Sequence, residues 1–266
     1  MDELRKIARA LLETSDVKVV IGYENGSGNK TRALFAEKPG DTDKLIFDSR
    51  CVMNLATYLT KPEVKDKGRM AITATLPVMR AIIQLACEFQ VSDKNLTVIG
   101  ITPESTIKEF RDLAEVESFV HGYQIELDER NRETLDKLSR MTMEERWDFW
   151  MKELSPCFKC YACRAACPMC YCHRCTVEFN QPQWIPVPSH ELGNLEWHIM
   201  RAMHLAGRCV DCDACYNACP LAIPINLLTK RMLMDAKEHF GGYQPSIKAD
   251  HLMSTFKPDD SENFIM

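Results

Sequence analysis

Met70–Ile101 reads MAITATLPVMRAIIQLACEFQVSDKNLTVIGI. Its first five or six residues, MAITAT, form a short apolar run with β-branched members, which predicts a strand. Pro77 follows and suits the first turn of a helix, where its missing N–H costs nothing. Val78, Ile82, Ile83 and Ala86 then recur at helical spacing as one apolar stripe. LTVIGI, Leu96–Ile101, predicts a second strand. Strand, helix and strand within about thirty residues make a βαβ unit, which requires a parallel pair and a right-handed crossover.

Working outward, the pattern continues in both directions. Residues 2–13 carry Leu4, Ile7, Ala8, Leu11 and Leu12 at helical spacing. Val17–Gly22 is a β-branched run and predicts a strand, and Arg32–Ala36 and Leu45–Phe47 predict two more. Arg50–Leu59 has helical periodicity, and residues 104–120 and 129–154 read mostly as helix. Gly22–Gly28 is glycine-rich but lacks the G-x-G-x-x-G spacing of a dinucleotide loop, so it reads as a turn between strands. The expectation is an α/β domain over 1–152 with a parallel, βαβ-containing sheet.

At Ser155–Pro156 the character changes. Of thirteen cysteines only Cys51 and Cys87 precede it, and the other eleven lie between Cys157 and Cys219. One pattern occurs twice. Cys157, Cys160, Cys163 and Cys167–Pro168 make the first copy; Cys209, Cys212, Cys215 and Cys219–Pro220 make the second. Both are C-x-x-C-x-x-C-x-x-x-C-P, the bacterial ferredoxin run. Three thiols at i, i+3 and i+6 can wrap three corners of an Fe₄S₄ cube. The small residues between them let backbone N–H groups point at the sulfurs. The fourth cysteine serves the other cluster in two-cluster proteins. The predicted sets are therefore Cys157, Cys160, Cys163 and Cys219 for one [4Fe–4S] cluster, and Cys209, Cys212, Cys215 and Cys167 for the other. Zinc sites favour two separated pairs, which neither copy resembles. Lys159 and Arg164 flank the first run, Asp211 and Asp213 the second, so the second cluster is expected to have the lower potential.

Cys170, Cys172 and Cys175 follow within six residues, too many thiols for ordinary packing. They predict a third metal site, a further [4Fe–4S] cluster or zinc, the alternative being three free thiols packed beside the two clusters. Cys51, read as the start of a helix, and His173 are the candidate fourth ligands. Cys87, on the apolar side of a predicted helix, reads as buried, and His198 and His204 as surface or packing residues. Residues 176–193 carry three prolines and read as irregular. Helices are expected at Leu195–Leu205 and Ile225–Glu238, the latter stopped by Gly241–Gly242. The mainly α and irregular two-cluster domain is placed at 153–238, with a tail over 239–266.

Composition narrows the class. With 33 Lys and Arg against 38 Asp and Glu, the net charge is −5, the wrong sign for a chain that binds nucleic acid through phosphate contacts. Nothing approaches a membrane span. The opening MDELRKIARALLETSD lacks the apolar segment of a signal peptide, so a cytoplasmic protein is expected. Reduced cytosolic thiols then point to metal rather than disulfides.

With these residues in hand, the run CYACRAACPMCYCHRC resembles the dicluster ferredoxin-type proteins related to the β subunits of coenzyme F420-reducing hydrogenase and formate dehydrogenase. HLAGRCVDCDACYNACPLAIPINLL is similar to the cluster region of heterodisulfide reductase C subunits. CVMNLATYL, RAIIQLACEFQ and LTVIGIT also look like this group. The resemblance implies electron transfer inside a multi-subunit anaerobic redox complex. The implied partners are formate dehydrogenases, hydrogenases or heterodisulfide-reductase-like flavoproteins. The family pattern has cysteines where Pro77 stands and near Thr102–Pro103; both are missing here, which implies a weakened or rebuilt third site. Its glycine-rich flavin segment is not evident, so flavin and F420 are not carried over. The expectation is a non-catalytic electron-transfer subunit. The alternatives are a flavin- or F420-dependent enzyme with its site in the N-terminal domain, and a zinc-bearing structural module.

Overall fold

The computed structural model describes residues 1–124, 128–175, 177–179, 181–240 and 245–248. Helix α1 (Asp2–Glu13) precedes a hairpin of β1 (Val19–Asn25) and β2 (Thr31–Ala36). A short α2 (Pro62–Lys65) leads into β3 (Met70–Ala74), α3 (Leu76–Cys87) and β4 (Leu96–Ile101), the predicted βαβ unit. β5 (Ile107–Phe110) and α4 (Leu113–His121) follow. The remainder is helical or irregular: α5 (Glu129–Arg140), α6 (Met143–Leu154), α7 (Ala162–Ala165), α8 (Glu191–His204), α9 (Ala214–Asn217) and α10 (Asn226–Phe240).

The sheet runs β2-β1-β3-β4-β5. Its inner pairs are parallel, with Val19 opposite Met70 and Met70 opposite Leu96. Both outer pairs are antiparallel, so the sheet is mixed. β3 is buried at every position, as a strand covered on both faces must be, while edge strands β2 and β5 keep exposed residues. Alternation sorts the side chains. Val20, Ala71 and Ile99 face α1, packing on Leu4, Ala8 and Leu12. Val19, Ile21, Ile72 and Val98 face α3 and α4 in a larger core that also holds Met169, Leu205 and Val210 from the cysteine-rich half. Each such aliphatic side chain contributes roughly 1.5–3 kcal/mol on burial. Gly100 is required by this packing, since a Cβ there would collide with the ring of Phe110.

Three readings of the sequence need correction, and two helical ones need sharper boundaries. Arg50–Leu59 is not a helix. It is a turn followed by a 3₁₀ segment at Leu55–Tyr58, because the Asn54 side chain accepts from the Ala56 N–H at 3.1 Å and starts the helical turn late. Leu45–Phe47 gives only a bridge from Ile46 to Tyr23. Residues 104–120 are not mostly helical: Ile107–Phe110 takes the open edge of β4, and only then does Asp112 cap α4 by accepting from the Glu115 N–H at 2.8 Å. Residues 129–154 are mostly helical as expected, in two helices divided at Thr142. There the Thr142 hydroxyl accepts from the Glu145 N–H and the Glu145 carboxylate accepts from the Thr142 N–H. α8 starts four residues before its predicted Leu195, where His190 caps it. Gly241–Gly242 and most of the tail lie outside the described residues. Pro245–Ile247 of that tail lies along α4, with Pro245 O 2.9 Å from His121 Nε2 and the Ile247 N–H donating to Glu117. No described helix is long and apolar enough to cross a membrane.

Candidate metal centre

The sequence repeat is also a repeat of backbone conformation. Two residues after the first cysteine of each copy, Lys159 and Asp211 have φ of 54° and 55°. Two further on, Tyr161 and Asp213 have φ of 59° and 53°. These are left-handed conformations on residues with a Cβ, each costing on the order of 1–2 kcal/mol. A four-residue helix then follows in each copy, α7 and α9. The left-handed residues turn N–H groups inward, and Lys159 N–H donates to Cys157 Sγ at 3.4 Å.

The thiols of the two copies interleave. Cys160 and Cys219 lie near Cys157, and Cys157, Cys170 and Cys219 lie near Cys163. Cys167 lines one pocket with Cys209, Cys212 and Cys215. Burial pushes the Cys163 thiol up to about 11, and Cys212 and Cys215 up to about 12. Bare, these thiols keep their protons, so loading a metal here releases protons.

Cys170, Cys172 and Cys175 share a second pocket with Arg164, His204 and Arg208. Neither predicted fourth ligand lines it. Cys51 sits in the turn before Asn54, where its Sγ accepts from the Asp48 N–H at 3.5 Å, and Tyr23 is its neighbour. His173 is exposed. Cys87 is half-buried at the end of α3.

Arg201 and Trp197, which the sequence did not single out, and His198, read there as a surface or packing residue, complete the site. α8 presents Trp197, His198, Arg201 and Leu205 on one buried face. The signal was available: a cation at i+4 from Trp197 on an apolar stripe. His198 Nε2 lies 3.4 Å from Cys157 Sγ. Burial, with Arg201 and Lys159 nearby, lowers the imidazole to about 3, so it stays neutral. Arg201 is 5% exposed and donates to Cys163 O at 3.1 Å, while its Nε has no hydrogen-bond partner. An orphaned buried N–H among soft sulfur donors is what a sulfide-rich anion would satisfy, so these residues fit iron–sulfur clusters.

The charges flanking the two copies are partly cancelled. Lys230, 2% exposed, pairs with both Asp211 and Asp213, the latter at 3.0 Å. Burial opposes the charge on Lys230, but the two carboxylates outweigh it and raise its pKa. Arg164 pairs with Glu178 at 3.0 Å. The charge difference read from the sequence thus shrinks but keeps its sign.

The sheet layer meets this site near the carboxyl end of β3. In open α/β sheets ligands bind beyond the carboxyl ends of the parallel strands. Here Asn54 hydrogen-bonds Cys212 and donates to Pro77 O, in the first turn after β3, at 3.3 Å. Thr57 Oγ1 donates to Ala165 O at 3.0 Å. A second tie is Glu88, which accepts a fork from Arg208 at 2.7 and 2.6 Å and the Tyr171 hydroxyl at 2.6 Å. Burial works to raise the Glu88 pKa, but Arg208 and Tyr171 override it and hold the carboxyl below the usual range. A depressed carboxyl contributes stability at neutral pH and loses it as pH falls below the ordinary glutamate range. Glu88→Gln is expected to cost about 2 kcal/mol at pH 7 and to flatten the acid side of the stability curve. Denaturant melts at pH 4 and pH 7 check this; equal losses at both would contradict it.

No family model matches the chain. Over 221 residues, 78% of this chain, it is 26% identical to the F420-dependent formate dehydrogenase subunit beta of Methanocaldococcus jannaschii. The chain spans 57% of that relative's length, and the likeness takes in most of this chain.

Proposed function

We propose that this chain is an iron–sulfur electron-relay subunit of a multi-subunit redox complex. The observation that carries this reading is the pair of cysteine loops with one backbone conformation and interleaved thiols. Cys157, Cys160, Cys163 and Cys219 would hold one [4Fe–4S] cluster; Cys209, Cys212, Cys215 and Cys167 would hold the other. Each cluster, when bound, supplies one-electron transfer. The chain's own residues supply the rest: Lys159 N–H donates toward sulfur, His198 stays neutral beside Cys157, and Arg201 and Lys230 set local charge. The charge that remains favours a lower potential at the Cys209 set. Cys170, Cys172 and Cys175 are proposed as a third metal site, for a further cluster or zinc.

The relative's name supports membership of a redox enzyme assembly. Partners of formate dehydrogenase, hydrogenase or heterodisulfide-reductase type are therefore proposed. That name also favours a second reading, an F420- or flavin-dependent enzyme with its site in the sheet layer. The relay reading is preferred because the Cys212 loop is seated near the carboxyl end of β3, where such a ligand would otherwise bind. Anaerobic purification with iron, acid-labile sulfide, zinc and flavin analysis tests these readings. About eight irons with equal sulfide and no flavin supports the relay, and about twelve adds the third cluster. A flavin band, or a colourless iron-free chain, overturns it.

A further inference from the structure

Arg201 stands where the two cysteine loops meet. It lines both cysteine pockets. Around it lie Cys163 of the first loop, Cys215 of the second, and Cys167 and Cys170 between them. Among the described residues no carboxylate pairs with it, unlike Arg164, Arg208 and Lys230. It donates to a carbonyl, Cys163 O, and hydrogen-bonds the Cys170 thiol, while its Nε is unpartnered. A buried cation is costly unless an anion faces it. Among the described residues, the groups around it that can carry negative charge are the thiolates of Cys163, Cys167, Cys170 and Cys215 and whatever they bind.

We propose that Arg201 is a counter-charge shared by both clusters, a positioning residue that raises the reduction potential of each. This rests on the two-cluster reading. Reduction adds an electron to an already anionic centre, and a fixed positive charge nearby favours the added charge. In a water-poor site that effect is strong, because screening is weak. Most tuning charges act on one centre. Lys230 is tied to Asp211 and Asp213 on the second loop alone. Arg201 touches residues of both, so its effect is common to the pair. It also brings the two potentials up together rather than spreading them apart, which suits transfer in either direction.

The test is potentiometric titration of the full chain, purified anaerobically, followed by EPR, with iron and sulfide counted for every variant. In Arg201→Met with full iron, reduction of both clusters is expected to become at least tenfold less favourable, a fall of about 59 mV or more in each. Arg201→Lys keeps the charge, so both potentials should stay within about twofold in the reduction equilibrium of the parent, roughly 18 mV. Arg231→Met, which removes an exposed cation paired with Asp235 on α10, should move neither. Full iron with one cluster shifted, or none, overturns the proposal. Should Arg201→Met shed its iron, Arg201→Lys decides alone: potentials held support a charge role, and potentials that fall tenfold overturn it. A parent chain without iron refutes the two-cluster reading itself, a different failure from full iron with unmoved potentials.

Discussion

Cys219→Ala is expected to remove the cluster at Cys157, Cys160 and Cys163 and to spare the one beside it at Cys209, Cys212 and Cys215. Chain order alone would suggest the reverse, since Cys219 follows Cys215 by four residues. The fold argues for the crossed outcome. Cys219 neighbours Cys157 and Cys163, and Cys167 shares a pocket with the three cysteines of the later loop. Losing one of four thiolates leaves a cube corner open to solvent, so that cluster is lost or decays to a three-iron form. Iron should fall from about eight toward four, or to about seven if the three-iron form persists. The reduced EPR spectrum should lose the broadening that two nearby paramagnets cause. Cys167→Ala should remove the other cluster. If Cys219→Ala and Cys215→Ala abolish the same signal, each loop holds its own cluster and the interlock is wrong.

The second large effect falls on Lys230. Its ammonium, 2% exposed, is shared by Asp211, itself buried, and Asp213. Bringing three charges together out of water gains little net energy, but removing one partner leaves the others stranded. Lys230→Met should therefore destabilise the chain by about 3–5 kcal/mol. The damage is sharpened by position, because both aspartates hold left-handed backbone in the Cys209 loop. Combining Lys230→Met with Asp211→Asn and Asp213→Asn removes the stranded charges and should recover most of the loss. Urea midpoints under anaerobic conditions, with iron content matched, measure both. A loss under 1 kcal/mol for the single variant would show that water reaches the pair and screens it.

Much of the sheet was legible because its central strands are covered on both faces and so read as unbroken apolar runs. Val19–Ile21, Met70–Ala74 and Leu96–Ile101 announce themselves in this way. β5 did not, because IKEF is an edge strand with one firmly buried residue, Phe110. Its strand character comes from β4's free edge rather than from its own residues. The false helix at Arg50–Leu59 arose because apolar spacing was satisfied while Asn54 interrupted the backbone pattern. The cysteines of the candidate site were plain from spacing, which is a local property. Arg201, Lys230, Asn54 and Glu88 were not, since each matters through partners far along the chain: Cys163, Asp211, Cys212 and Arg208. Cys51 does not line the pocket that holds Cys170, Cys172 and Cys175, a placement that depends on topology rather than on local spacing.

The apolar core shared by the sheet and the cysteine-rich half has a further consequence. Met169, Leu205 and Val210 pack into the same cluster as Ile72 and Val98. Neither half can lose its order without exposing apolar surface of the other, so the two should melt as one cooperative unit. Oxygen damage at the thiols would then be felt as softening of a sheet that contains none of them, and the fold itself would register the chain's oxidation state.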